Sequence, residues 1–180
     1  SGRLSHTLFI ASSYSGNTEE TLDSFQNALK QNMPTAAICV GGKLLAMAKQ
    51  SSIPYIQLPD TQIQPRSALG FNMKALLALM NETAALSKMS ELARTLQPLA
   101  YEEAGKELAQ KIKNRVSIIY SSARNRAIAY NWKIKLNETG KIPAFYNVFP
   151  ELNHNEMTGF DINDSTRELS ERFCFILLKD

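Results

Sequence analysis

The sequence predicts an α/β fold in which parallel sheets are flanked by helices, and three observations carry that expectation. Short apolar runs alternate with amphipathic stretches through the first half, in strand–helix–strand–helix–strand order. A loop of small and polar residues, SSYSGNT over positions 12–18, follows directly on the first apolar run. The same unit of strand, Ser-rich loop and helix returns later, with IASSYSGNTEE echoed by IYSSARNRAIA, which reads as a weak internal duplication.

Taken in order, Thr7–Ala11 is a buried strand, and Asn17 caps a helix running to about Gln31. Asn17 and Glu20 have capping-box spacing, and Leu22, Phe25, Ala28 and Leu29 form one apolar face. Pro34–Val40 is the next strand, ended by Gly41–Gly42; a short helix over Lys43–Gln50 leads to a third strand, Tyr55–Leu58. This βαβαβ order implies parallel pairing, and right-handed crossovers put the loop after the first strand at the carboxyl end of the sheet, where ligands bind. Asp60–Pro65 is a polar turn, and Ser67–Lys88 reads as one long helix, apolar nearly all round and so expected to be buried between elements or against a partner. The pattern breaks at Leu96–Gln97–Pro98, where the boundary between two half-domains, 1–96 and 97–180, is expected. A helix over Tyr101–Lys113 then precedes a strand, Val116–Tyr120, and a polar loop, Ser121–Arg126. Ala127–Glu138 is a helix with Ile128, Trp132 and Leu136 on one stripe, Pro143–Val148 a strand, Asn153–Gly159 a turn or helix start, and Phe173–Leu178 a final strand.

Composition narrows the class. A chain of 180 residues with 44% hydrophobic and 21% charged residues can bury a core as one domain or two small ones. The net charge of +3 is too small and too dispersed for a nucleic-acid protein, although it suits small anionic substrates. Cys39 and Cys174 lie far apart in apolar runs without metal-type spacing, as buried thiols of a reducing compartment would. No stretch approaches a membrane span, and the opening residues SGRLSHTLF lack a signal-peptide pattern, so no membrane association and a cytoplasmic location are expected.

The loop carries the first functional expectation. Ser12, Ser13, Ser15 and Thr18 offer hydroxyl donors, Gly16 lets the backbone bend close to a ligand, and the following helix aims its unpaired N–H groups and positive dipole end at the same place. With no Gly-Lys-Ser/Thr, this is not a Walker loop, and a sugar phosphate fits better than a triphosphate. Three further residues are candidates. Glu138, at a helix end before Thr139–Gly140, can serve as a general base; a solvated helix-end carboxylate is the competing reading. His154, within PELNHNEMTGF, can shuttle a proton; a surface histidine beside a capping asparagine competes, and a zinc site with Glu151 or Glu156 falls short of a ligand set. Arg66, opening the long helix, can stabilise an oxyanion or simply pack on the turn, and Arg124 and Arg126 flank the second loop.

SSYSGNTEET resembles the phosphosugar-binding loop of sugar isomerase (SIS) domains. FPELNHNEMTGF, preceded by LNETGKIPAFYN and with QPRSALG in the expected order between, is similar to the bifunctional phosphoglucose/phosphomannose isomerases of that superfamily, over most of the chain as far as Phe160. The resemblance implies flavodoxin-like, doubly wound SIS half-domains in tandem and isomerisation of glucose 6-phosphate or mannose 6-phosphate to fructose 6-phosphate through a cis-enediolate. It implies that Ser13, Ser15 and Thr18 hold the 6-phosphate and that Arg66 stabilises the enediolate. Glu138 would move the proton between C1 and C2, and His154, reaching in from the other subunit of a homodimer, would assist ring opening. No cofactor and no metal are implied. A full family member also has an upstream strand with a Gly-Gly-Ser turn and a downstream helix whose lysine partners the histidine; neither occurs here, so the chain is expected to be either a trimmed part of a longer enzyme or a broken relative. A non-catalytic, sugar-phosphate-binding regulatory SIS module is the alternative. Glucosamine-6-phosphate synthesis shares the loop but would need an amidotransferase half that this sequence does not show.

Overall fold

The computed structural model describes residues 6–180. These divide into two compact units, one ending at Leu96 and one spanning Gln97–Asp180. The first unit contains β1 (Phe9–Ser12), α1 (Glu19–Lys30), β2 (Thr35–Cys39), α2 (Gly42–Gln50), β3 (Tyr55–Gln57), α3 (Leu69–Leu79) and α4 (Thr83–Thr95). Its three strands are parallel and lie in the order β1-β2-β3. The central strand explains the layering. Every residue of TAAIC is buried, and the pleat sends alternate side chains to opposite faces. Ala37 and Cys39 meet Phe25 of α1 and Leu44, Leu45 and Ala48 of α2, while Ile38 turns to the other face and packs with Leu58 and Ala75 of α3. Helices therefore cover both faces.

The single long helix expected over Ser67–Lys88 is two helices. A 3-10 turn, Pro65–Ser67, leads into α3, and the chain breaks at Met80–Glu82, where Asn81 takes a left-handed φ of 57°. Asparagine tolerates that conformation, and Glu82 N–H closes the turn on Leu77 O at 2.8 Å. Within this unit α3 buries one side only: Ala75 is enclosed, whereas Leu69, Met73, Leu76 and Met80 stay exposed.

In the second unit a 3-10 turn, Pro98–Tyr101, precedes α5 (Glu102–Ile112), β4 (Val116–Ser121), α6 (Arg126–Glu138) and β5 (Ala144–Val148). Then come α7 (Glu151–His154), a 3-10 turn (Met157–Phe160), α8 (Arg167–Ser170) and β6 (Phe173–Leu178). The sheet order is β5-β4-β6, all parallel. The chain leaves β4 for a neighbour on one side and later returns to its other side, so the strand order reverses at β4. On one face Ile119 and Ala144 pack with Ala129, Trp132 and Leu136 of α6. Ile128, expected on that stripe, is exposed, because successive steps of four drift round a helix of 3.6 residues per turn and Ala129 takes the inner place. On the opposite face Ile118 and Tyr120 meet Leu152, Phe149, Phe160 and Phe173.

Candidate functional site

The loop between β1 and α1 is stitched to the turn between β2 and α2. Ser13 N–H donates to Ile38 O at 3.0 Å, Val40 N–H to Tyr14 O at 2.9 Å and Leu44 N–H to Gly16 O at 2.9 Å. Gly16 has φ +72°, and a Cβ there would collide with the Gly41 carbonyl oxygen; Gly42, at φ +70°, faces Ser15 O and the Asn17 side chain in the same way. Two bare backbones thus lie against each other, and glycine is required on both sides. Ser13 is buried, its Oγ 2.9 Å from Thr18 Oγ1 and accepting from Gly16 N–H at 3.1 Å. Ser15 and Thr18 are exposed, and Ser15 Oγ accepts from Asn17 N–H at 3.2 Å, which leaves its own proton for a ligand. Ser13 therefore shapes the loop from beneath while Ser15 and Thr18 form its rim.

The capping box expected at Asn17 and Glu20 does not form. Thr18 is the N-cap of α1 and makes no side-chain cap bond, because its hydroxyl is paired with Ser13. The Asn17 side chain turns the other way, and its Oδ1 accepts from Lys43 N–H at 3.0 Å, in the first turn of α2. Asn17 caps the neighbouring helix. The start of α1 keeps its first-turn N–H groups directed at the loop, together with the positive end of its dipole. The site is a cradle of hydroxyl and amide donors, suited to a phosphate monoester.

Arg66 is half-buried in the 3-10 turn before α3, with Nη1 3.4 Å from Gln64 Oε1. Ser12, the last residue of β1, donates to Asn72 Oδ1 at 3.3 Å, so the first turns of α3 stand at the carboxyl edge of the sheet, the edge that holds the loop.

Glu138 is exposed and ends α6. Asn137 fastens the turn beyond it, donating from Nδ2 to Ile142 O at 3.0 Å. Since β4 and β5 are parallel, α6 runs back along the sheet and carries Glu138 to its amino edge. His154, exposed at the end of α7, follows β5 and stands at the carboxyl edge. The rise of the 13-residue helix alone separates the two edges by about 20 Å. Within this unit the two candidates are held apart.

The second Ser-rich loop holds a carboxylate of the chain itself. Ser122 Oγ and Asn125 Nδ2 both donate to Asp180 Oδ1, at 2.7 and 2.9 Å. Arg124 and Arg126 are exposed beside a shallow depression of about 360 Å³ that includes Tyr130 and Tyr146.

One polar cluster is not evident from the sequence. Tyr120 Oη donates to Glu156 Oε1 at 2.9 Å and Asn147 Nδ2 to Glu156 Oε2 at 2.6 Å. Burial, then the hydrogen bond and charge of Glu156, hold the Tyr120 phenol far above the usual tyrosine range. A tyrosine amid the apolar run VSIIYS was the available signal, since a buried phenol needs a partner. Among the described residues no group of three or more His, Cys, Asp or Glu side chains is placed to hold a metal.

The parallel sheets covered by helices, with a hydroxyl-lined loop at a strand end, define a SIS-type fold. Solved structures share it. The C-terminal domain of glucosamine-fructose-6-phosphate aminotransferase from Francisella tularensis matches with a TM-score of 0.65 at 19% identity, over 96% of this chain and 59% of that one. Glucosamine-6-phosphate deaminase from Thermotoga maritima matches at 0.59 and 17% identity, over 96% and 60%. Residues 101–180 match the family model of the bacterial phospho-glucose isomerase C-terminal SIS domain. Bifunctional phosphoglucose/phosphomannose isomerases from Caldicellulosiruptor bescii and Aquifex aeolicus are 37% and 35% identical over 98% and 96% of the chain, and 55% and 52% of the relatives. The D-glucosamine-6-phosphate 4-epimerase of Sulfolobus acidocaldarius is 32% identical over 85% of the chain and 51% of the relative. The chain belongs, as a partial member, to the bifunctional phosphoglucose/phosphomannose isomerase family. It spans about half the length of the curated relatives it matches.

Proposed function

We propose that this chain is part of an aldose–ketose isomerase that converts glucose 6-phosphate or mannose 6-phosphate to fructose 6-phosphate. The observation that carries the reading is the cradle rimmed by Ser15 and Thr18 over the buried Ser13, braced against Gly41 and open to the start of α1. It grips the 6-phosphate at one end of the sugar and leaves C1 and C2 to groups at the other. His154 donates a proton to the ring oxygen as its bond to C1 breaks, and the C1 hydroxyl gives up its own proton to solvent to form the aldehyde. Glu138 removes the proton from C2 of the open-chain aldose, Arg66 meets the charge of the cis-enediolate, and Glu138 returns the proton to C1 while the O2 proton passes to O1, which leaves a carbonyl at C2. The base and the histidine lie at opposite edges of one sheet, which favours a homodimer in which His154 serves the partner's site. The reading extends to a cytoplasmic enzyme, with its two units as incomplete SIS half-domains.

A coupled assay of fructose 6-phosphate on the protein at its native length tests the assignment. Glu138→Gln should lower kcat by about 10²–10⁴-fold while phosphate binding persists. Comparable activity in that variant would remove the base. The regulatory-module alternative calls for saturable fructose 6-phosphate binding without turnover, abolished by Ser15→Ala with Thr18→Ala. The epimerase relative favours one further reading, in which the same cradle takes an amino-sugar phosphate; competition by glucosamine 6-phosphate would reveal it.

A further inference from the structure

His154 stands midway between two anchors. Leu152, two residues before it, is fully buried against Ile118 and Tyr120. Glu156, two residues after it, is half-buried with both carboxylate oxygens engaged, one by Tyr120 and the other by Asn147. Those two donors are directly opposed in the parallel register of β4 and β5, so they form a clamp on a rigid sheet. The clamp is itself held. Val148 N–H donates to Asn147 Oδ1 at 2.8 Å, and the Tyr120 ring, 1% exposed as a residue, lies 5.5 Å from Phe175 and 6.0 Å from Phe149. Asn155 completes the turn, accepting from Glu156 N–H at 2.6 Å and donating to Glu151 Oε1 at 3.0 Å. The backbone around His154 is thus fixed on both sides while the residue stays exposed. A carboxylate drawn partly from water is costly unless its oxygens are paired, and here the pairing points to one place in the fold.

We propose that Glu156 is a positioning residue for His154, aiming the imidazole through its clamp on Tyr120 and Asn147. The proposal rests on the reading that His154 acts in ring opening. Acid–base catalysis is sensitive to displacements of an ångström or less, so a loosened turn costs rate and leaves phosphate binding intact.

The test uses the native-length protein assayed from glucose 6-phosphate, with Glu156→Gln and Tyr120→Phe made both alone and in a His154→Ala background. Tyr120→Phe keeps the ring and its packing, so it reports on the clamp even if Glu156→Gln folds poorly. Each variant should lower kcat about tenfold or more with KM within about twofold, and neither should lower it further once His154 is alanine. An equal fold-loss in both backgrounds would show a role in general stability and overturn the proposal. Full activity of both clamp variants beside an impaired His154→Ala would overturn it alone. Full activity of His154→Ala would overturn the ring-opening role and the proposal together.

Discussion

Gly16 concentrates the demands of the cradle on one residue. Its φ of +72° lies in the left-handed region, and its Cα faces the Gly41 carbonyl with no room for a methyl group. Gly16→Ala should therefore destabilise the first unit by about 1–3 kcal/mol and weaken fructose 6-phosphate binding together with it, as denaturant melts and a binding titration would record. Tyr120 makes a different prediction. Its phenol is raised above the usual range in the folded protein, so the neutral form is the one that folding favours. The stability it contributes is complete below the ordinary tyrosine value of about 10 and is lost as pH climbs beyond it. Melting temperatures of the parent and of Tyr120→Phe should converge as the pH is taken above that value; a constant difference would contradict the coupling.

Among the elements, the β1–α1 loop depends on its neighbour as much as on its own residues. Asn17→Ala removes the cap on α2 and the strut between the two loops, for a cost of about 1 kcal/mol. It should raise KM for the sugar phosphate more than it lowers kcat. The order of strands and helices is legible in the sequence because each apolar run is short and set off by polar or turn residues; Phe173–Leu178, between Glu171–Arg172 and Lys179–Asp180, has the same bounds in the sequence and in the structure. The capping partner of Asn17 was not, since an asparagine followed three residues later by glutamate looks the same whether its side chain bonds locally or to Lys43, 26 residues away. The break at Asn81 was hidden by apolar residues on both sides of it. The loop hydroxyls were legible as types, but that Ser13 is spent beneath the loop depends on which way each pleat faces. The Tyr120–Glu156 pair joins residues 36 apart, and nothing in either local string announces the other.

At the scale of the whole molecule, the separation of Glu138 from His154 gives a prediction about subunits. If each active site takes its base from one copy and its histidine from another, mixing Glu138→Gln subunits with His154→Ala subunits restores one intact site in every mixed dimer. Random exchange should bring activity back to about a quarter of the parent level, although each variant alone is nearly inactive. No recovery after subunit exchange would place both groups in one copy.

The Asp180 carboxylate lodged in the second Ser-rich loop has a consequence for stoichiometry. A tethered anion already occupies the Ser122 and Asn125 donors, so even if this loop repeats the proposed phosphate cradle it adds no second place for ligand. Calorimetric titration with fructose 6-phosphate should saturate at one equivalent per polypeptide, and a second, weaker berth should open only when Asp180 is replaced by alanine.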